Sequence, residues 1–438
     1  MADSRTKLPT SALARLLKLG GAAGRVGVSV ARESLERSKA RGTEKGGRRT
    51  TEMQRRAQQV AEVLGALKGV PMKIGQMLSL HQELLPPEVA DILSSLQQDA
   101  PSVPFAEIYD SMRNELGGSF QHIDDIEPRA WAAASIGQVH RGQLADGRRV
   151  VFKVQYPGID RVIAADLKNL KGPLGLLFGM FTDADLGPFW AEASEMLNEE
   201  LDYAQEARHM QRMAELWEGD ADIVIPRVLP ELTTRHVLCM DYVQGLSAQW
   251  ACSGNYTQAQ RDQWGQVLLR FVLSGLFRQR FLHADPNLAN FSFMPDGRLV
   301  VYDFGCVKQV PEKIRDGYTN LTRAVLDQRF GDLEPLLAEM GIYRLDGKSL
   351  PHAMLLEYGE VLAKPFQQGS AYQYGKDSNI YTELMALGRK YWEIGAKLQF
   401  PKDILFIDRT LAGHFGNLCR LGATAEWGKL LENSLESR

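Results

Sequence analysis

The chain has 438 residues, 44% of them hydrophobic and 24% charged, with 17 Phe, 13 Tyr and 7 Trp. That is enough apolar chain for roughly two to four domains, or one large two-lobed domain with additions, and it excludes a disordered protein or a small disulfide scaffold. A net charge of -3 gives no general attraction for nucleic acid, and Cys239, Cys252, Cys306 and Cys419 form neither a CxxC pair nor a disulfide framework, which fits a reducing compartment.

Taken from the start, the charge is uneven. Residues 1–60 carry 14 Lys and Arg against 5 Asp and Glu, and the remainder carries 37 basic and 49 acidic groups. Leu13, Leu16, Leu17, Leu19, Ala23 and Val26 are interrupted by Arg15, Lys18 and Arg25, too often for a membrane span or a signal-peptide core. Residues 1–37 read as a basic amphipathic segment able to lie on an anionic membrane surface, or as a basic tail that packs on its own domain. Asp3, Glu33 and Glu36 weigh against a mitochondrial presequence. Residues 38–51 are polar and glycine-containing and read as a linker. Residues 52–125 read as a helical extension, broken at Pro71 and Pro86-Pro87, with a short amphipathic helix near 104–116.

From Ala130 the texture changes. Ile136–Leu144 and Arg149–Tyr156 read as strands joined by Asp146-Gly147, a hairpin turn signal. Residues 160–218 read as helix, Val224–Leu229 and His236–Tyr242 as strands, and 257–281 as an apolar helix. A loop and strand region over 283–308 follows, and the tail from 311 is mostly helical. Residues 126–243 therefore read as a small mixed lobe and 244–438 as a helical one. No GxGxxG after a first strand is present, which excludes the dinucleotide-binding pattern.

The sharpest chemical signal is Asp303-Phe304-Gly305 at the end of a strand, downstream of His283-Ala284-Asp285-Pro286-Asn287-Leu288-Ala289-Asn290. Asp285 and Asn290 are five residues apart, the separation of the catalytic-loop Asp and the metal-binding Asn of protein kinases. Mg2+ prefers oxygen donors, so one carboxylate and one amide on neighbouring loops suit a phosphate-bound cation. Alternatively Asp285 and Asn290 cap a helix and Asp303 starts a turn. Val150-Val151-Phe152-Lys153 places a lysine on a strand as kinases do for the α and β phosphates, although a lone strand lysine also snorkels to solvent. Ahead of it, where kinases carry three glycines, the chain reads Ala132-Ala133-Ala134-Ser135-Ile136-Gly137-Gln138-Val139. Alanine stiffens such a loop, so nucleotide binds there with altered geometry over the γ-phosphate. Glu200, Asp202 and Glu206 are candidates to hold Lys153, and Glu206 is the better one, on a helix whose Ala207 and Met210 pack inward. Met240 stands as the gate beside the adenine, with Asp241 and Val243 offering backbone groups to its edge. Lys73-Ile74-Gly75-Gln76 either folds back toward Glu200 and the nucleotide or packs helix on helix. After the Asp-Phe-Gly there is no Ala-Pro-Glu segment, so no platform for an extended peptide is evident.

Together these residues resemble the UbiB family of atypical kinase-like proteins, the group linked to coenzyme Q (ubiquinone) biosynthesis, over roughly residues 55–400. The similarity rests on Lys73 to Gln76 (KxGQ), Ala132 to Ser135, Lys153, Glu200 and Asp202 (ExD), Glu206, Asp285 with Asn290, and Asp303. The catalytic loop departs from the His-x-Asp-x-His-Pro-Gly-Asn of many bacterial members at Asn287 and Ala289.

The resemblance implies an α+β, atypical protein-kinase-like two-lobed fold with a helical KxGQ extension and a mostly helical C-lobe. It implies ATP and Mg2+ as cofactors, a Lys153–Glu206 ion pair, Mg2+ on Asp303 and Asn290, and Asp285 as the catalytic-loop acid. Lys73 and Gln76 then contact the Glu200–Asp202 pair and the nucleotide side, and the alanine-rich loop goes with suppressed protein phosphorylation. The implied partners are anionic membrane lipids, quinone-like lipid intermediates and ubiquinone-biosynthesis enzymes, with no nucleic acid. The implied place is peripheral, on the cytoplasmic side of a bacterial inner membrane, or on the mitochondrial inner membrane in a eukaryote. Some bacterial members carry C-terminal membrane spans, but the charged and polar stretch Ala425 to Arg438 leads us to expect contact through the N-terminal segment and no integral anchor. Three activities compete: ATP hydrolysis in support of ubiquinone synthesis, true phosphorylation of a protein or small molecule, and a nucleotide-binding scaffold.

Overall fold

The computed structural model describes residues 103–134, 136–178, 187–377 and 380–436. The segments 1–37 and 38–51, most of the helical extension, and Lys73, Gln76 and Ser135 lie outside the described residues. The chain divides into two units. One takes in the residues up to Ala204 together with Leu229–Cys239; the other takes in Gln205–Val228 and everything from Met240 onward.

The first unit is built on a five-stranded sheet. Its strands are β1 (Ile123–Ile126), β2 (Ala132–Ala133), β3 (Gly137–Leu144), β4 (Arg149–Gln155) and β6 (Val237–Asp241), in the order β1-β3-β4-β6 with β2 paired to β3. The β3–β4 hairpin turns at Gly147, whose φ of 86° is a left-handed conformation that favours glycine. Arg148 N–H donates to Asp146 Oδ1 at 3.0 Å and fixes the turn. Along β4 the period-two pattern sends Val150, Phe152 and Val154 into the core. The helix Phe105–Leu116 meets them with Ile108, Met112 and Leu116, one residue per turn on a single face. Pro104 opens that helix, and Gly117 at φ 52° closes it. Fully burying side chains of this size stabilises by roughly 1.5–3 kcal/mol each. The helices Ile159–Phe178 and Gly187–Glu200 follow the hairpin.

The second unit has a four-stranded sheet in the order β5-β10-β9-β7, from Ile223–Val224 (β5), Leu299–Val301 (β10), Phe291–Phe293 (β9) and Leu246–Ser247 (β7). A separate two-stranded ladder joins β8 (Phe281–His283) to β11 (Val307–Gln309). The helix Gln258–Phe277 starts at a capping box made by Thr257 and Gln260. Its second half is buried nearly all round, as its run of apolar residues requires. Helices Glu312–Leu326, His352–Ala363, Ile380–Lys390, Lys402–Leu421 and Trp427–Glu436 complete the unit.

Two expectations shift. The expected strand Val224–Leu229 shrinks to Ile223–Val224, because Pro226 has no N–H for a ladder; Val228 keeps only an isolated bridge to Met240. The apolar helix ends at Phe277, and Phe281 already begins β8. Among the described residues no helix is long and apolar enough to cross a membrane.

Candidate functional site

In the first unit the alanine-rich loop folds back on the hairpin. Ala132 and Ala133 pair with Val139 and Gln138, and Ala134 N–H donates to Gly137 O at 2.9 Å. A Cβ on Gly137 would stand 2.2 Å from Val154 O, so glycine is needed here by the packing of β3 against β4. Trp131, beside the loop, is half exposed and carries the Arg141 guanidinium 4.7 Å above its ring. Lys153 stands opposite Val139 in the ladder, with its ammonium 5.0 Å over the ring of Tyr203. Glu200 ends its helix, and Asp202 N–H donates to Glu199 O at 3.2 Å. Tyr203 went unremarked in the acidic string Glu199–Ala207, although an aromatic face for a lysine is a readable signal there.

The second unit gathers Glu206, Asp285, Asn290 and Asp303. The β8–β11 ladder sets His283 opposite Val307, and Ala284 N–H donates to Cys306 O at 2.8 Å. This brings the loop after β8 beside the Asp-Phe-Gly segment. His283 is buried and its Nε2 lies 2.5 Å from Asp303 O, so that nitrogen carries the proton. Its ring meets Phe304 edge-on at 5.5 Å. Phe304 is fully buried, His209 Nδ1 lies 3.2 Å from its carbonyl, and its N–H donates to Glu206 Oε1 at 3.4 Å. Glu206 itself is 3% exposed, with Ala207 and Met210 buried on the same helix. Gly305 N–H donates to Asp303 Oδ1 at 3.0 Å, which turns that carboxylate around the strand end.

The loop after Asp285 is held by its own side chains. Asp285 Oδ1 accepts Asn287 N–H and Asn287 Oδ1 accepts Ala289 N–H, both at 3.1 Å. Asn290 closes a 3-10 turn just before β9, and Tyr302 N–H, just after β10, donates to Asn290 O at 3.0 Å, which brings Asn290 and Asp303 to the same end of this strand pair. Asn290 Nδ2 is 3.5 Å from Asp285 O, so the atom it can offer a cation is Oδ1. An aspartate and an asparagine supply oxygen donors only, which fits Mg2+ held in part by phosphate. Among the described residues no group of three or more His, Cys, Asp or Glu converges as a self-sufficient metal site.

Met240 is buried in β6, Asp241 N–H donates to Arg227 O at 2.9 Å, and Tyr302 Oη donates to Val243 O at 2.9 Å. The roles of His283, His209 and Tyr302 were not read from the sequence. His283 stands in the His-Ala-Asp string, two residues before Asp285, which is a readable signal; His209 carries no local signal. A shallow depression of about 350 Å³ bordered by Trp217, Asp220, Ile223 and Arg298 includes none of the motif residues.

A catalytic-type loop, an Asp-Phe-Gly strand end and a buried helical glutamate on one unit, with a strand lysine and small-residue hairpin on the other, define an atypical kinase-like protein. The family model described as the ABC1 atypical kinase-like domain matches residues 95–333, more than half of the chain. The chain belongs to this UbiB/ABC1 atypical-kinase family. The rat protein named Atypical kinase COQ8B, mitochondrial, is 31% identical over 381 residues, covering 84% of this chain and 70% of that protein. The zebrafish protein of the same name is 29% identical over 392 residues, 85% of this chain but only 60% of the relative's length. The Saccharomyces cerevisiae Atypical kinase COQ8, mitochondrial, is 28% identical over 443 residues, covering 98% and 85%. Among solved structures, the Rv3197–erythromycin complex from Mycobacterium tuberculosis has a TM-score of 0.65 and 25% identity, covering 89% of this chain and 98% of that one. The fold is thus mixed α+β and kinase-like, with a mostly helical second unit.

Proposed function

We propose that the protein binds MgATP and hydrolyses it in support of ubiquinone synthesis at a membrane surface. The observation that carries this reading is the convergence, within one unit, of Asp285, Asn290 and Asp303 through the Tyr302–Asn290 and Ala284–Cys306 backbone bonds. Bound Mg2+ would neutralise charge on the β and γ phosphates. Asp303 and Asn290 are the residues to hold it. Asp285 orients the attacking water and takes its proton, Lys153 binds the α and β phosphates, and Ala132–Ala134 with Gly137 cover the nucleotide. Family kinship supports nucleotide use. The UbiB resemblance supports the quinone pathway, and the basic character of residues 1–37 supports contact with anionic lipid.

The test is Mg2+-dependent phosphate release by the full chain, with and without anionic vesicles, beside Asp303→Asn. Turnover should rise with vesicles and fall by about 10²–10³ in the variant, the loss typical of removing one group that stabilises transition-state charge. Nucleotide binding with no turnover in either condition would sink the hydrolase reading. Turnover unchanged in both Asp303→Asn and Lys153→Ala would place the site elsewhere.

A further inference from the structure

One helix grips the loop that carries Asp285 from a distance of more than a hundred residues along the chain. Asn417 Nδ2 donates to Pro286 O at 2.7 Å across a separation of 131 residues. Gly413 approaches Pro286 so closely that a Cβ there would stand 2.4 Å from the proline Cγ. Thr410 Oγ1 lies 3.3 Å from Ala284 O, although its single proton goes more closely to Phe406 O at 2.7 Å. Positions 410, 413 and 417 share one face of the helix Lys402–Leu421. Asn417 is 4% exposed, and burying an amide is costly unless its hydrogen bonds are made. The loop around Ala284 and Pro286 supplies the partner.

We infer that Asn417, with Gly413 permitting the approach, is a positioning residue that sets the direction of the Asp285 carboxylate; this rests on the role proposed above for Asp285. Pro286 has a fixed φ, so the peptide after Asp285 has few arrangements open to it. The Asp285 carboxylate is tied to that peptide region, because its Oδ1 accepts Asn287 N–H at 3.1 Å. Holding Pro286 O therefore holds the backbone on which the carboxylate is aimed. A neutral amide does this without adding charge beside Asp285. A glycine at 413 lets the helix come near enough for Asn417 to reach, and any side chain there pushes Pro286 away.

The experiment compares the full chain with Asn417→Leu, which keeps the size and removes the N–H donor without adding charge, and with Gly413→Ala. Three quantities are read: kcat and KM for MgATP hydrolysis, nucleotide affinity, and hydrogen exchange over 282–292 and over 402–421. The expected result is a kcat lowered at least about tenfold with KM and nucleotide affinity within about twofold, since small misplacements of a reacting group cost rate before binding. Exchange should quicken at the Asn287 and Ala289 amides while the helix stays protected. A kcat within about twofold of the parent overturns the inference. So does a kcat loss that tracks lost nucleotide affinity and faster exchange along the whole helix, because that is a structural role alone. If the parent chain hydrolyses no ATP, the proposed function fails on its own, and exchange decides the inference. Quickening confined to 284–290 in Asn417→Leu sustains it, and unchanged exchange ends it.

Discussion

His414 shows what burial does to a single side chain. It sits 1% exposed beside Phe291, its ring 5.6 Å away and edge-on, and burial pushes its imidazole down to about 3, with His283 acting in the same direction and Asp285 against it. The folded protein therefore keeps His414 neutral well below the ordinary value of 6.5, whereas the unfolded chain takes up a proton there. Below 6.5 the unfolded state binds more protons, so stability falls as the pH falls. Between about pH 6.5 and 5 this one group should cost about 2 kcal/mol. Urea midpoints at pH 7 and pH 5 will read it. His414→Phe should lower stability less over that interval than the parent does, and an equal drop in both would reassign the effect to other groups. Glu206, also buried, is held by the Phe304 N–H. That bond puts the helix Tyr203–Leu216 in register with the Asp-Phe-Gly segment.

At the scale of elements, the β3–β4 hairpin was legible because two independent signals agree. Alternating apolar residues fix the faces, and Asp146-Gly147 fixes the turn. The spacing of Asp285, Asn290 and Asp303 is readable in the sequence, and the fold brings the three onto neighbouring loops through the Ala284–Cys306 and Tyr302–Asn290 backbone bonds. The strand at Val224–Leu229 misled, because apolar content outweighed the one proline that stops the ladder. The grip of the helix Lys402–Leu421 on Pro286 could not be read at all. Its residues are an ordinary Thr, Gly and Asn, and their meaning lies only in a contact made after folding. Gly137 belongs here too. Since its Cβ position meets a backbone carbonyl that cannot rotate away, Gly137→Ala should cost about 1–3 kcal/mol by forcing β3 from β4. Ala134→Gly, in the same loop, should cost no more than about 0.5–1 kcal/mol, the usual penalty of added chain freedom. Chemical denaturation of the two variants side by side distinguishes them, and equal costs would mean that the hairpin yields where the packing says it cannot.

For the whole molecule, Asp285, Asn290 and Asp303, the last two proposed to hold Mg2+, lie in the second unit and Lys153 and the alanine loop in the first. Each set is built by its own unit's sheet and helices, so point changes at Asn290 or Asp303 should leave the first unit's core intact. The charge distribution acts at this scale as well. Residues 1–60 are basic and the remainder acidic, so attraction to anionic vesicles should come from the N-terminal segment and weaken as salt shortens the screening length. Sedimentation with phosphatidylglycerol vesicles should fall steeply between about 0.05 and 0.5 M salt, where the Debye length shrinks from more than 10 Å to about 4 Å. Replacing Arg15, Lys18 and Arg25 by Gln should reduce it at low salt. Binding that ignores both salt and these substitutions would assign the membrane contact to apolar surface instead.

The half-exposed indole of Trp131, stacked under Arg141 and hydrogen-bonded through its N–H backbone to Val139 O at 2.8 Å, stands one residue before the alanine-rich loop. It is a native optical probe at the hairpin expected to cover the nucleotide. Trp264 and Trp427 are wholly buried in the second unit and will emit at shorter wavelength, shielded from aqueous quencher. Collisional quenching therefore separates their light from that of the exposed tryptophans, with Trp131→Phe isolating the hairpin's own contribution. Occupancy of the loop can then be followed without a dye, a label or a turnover assay.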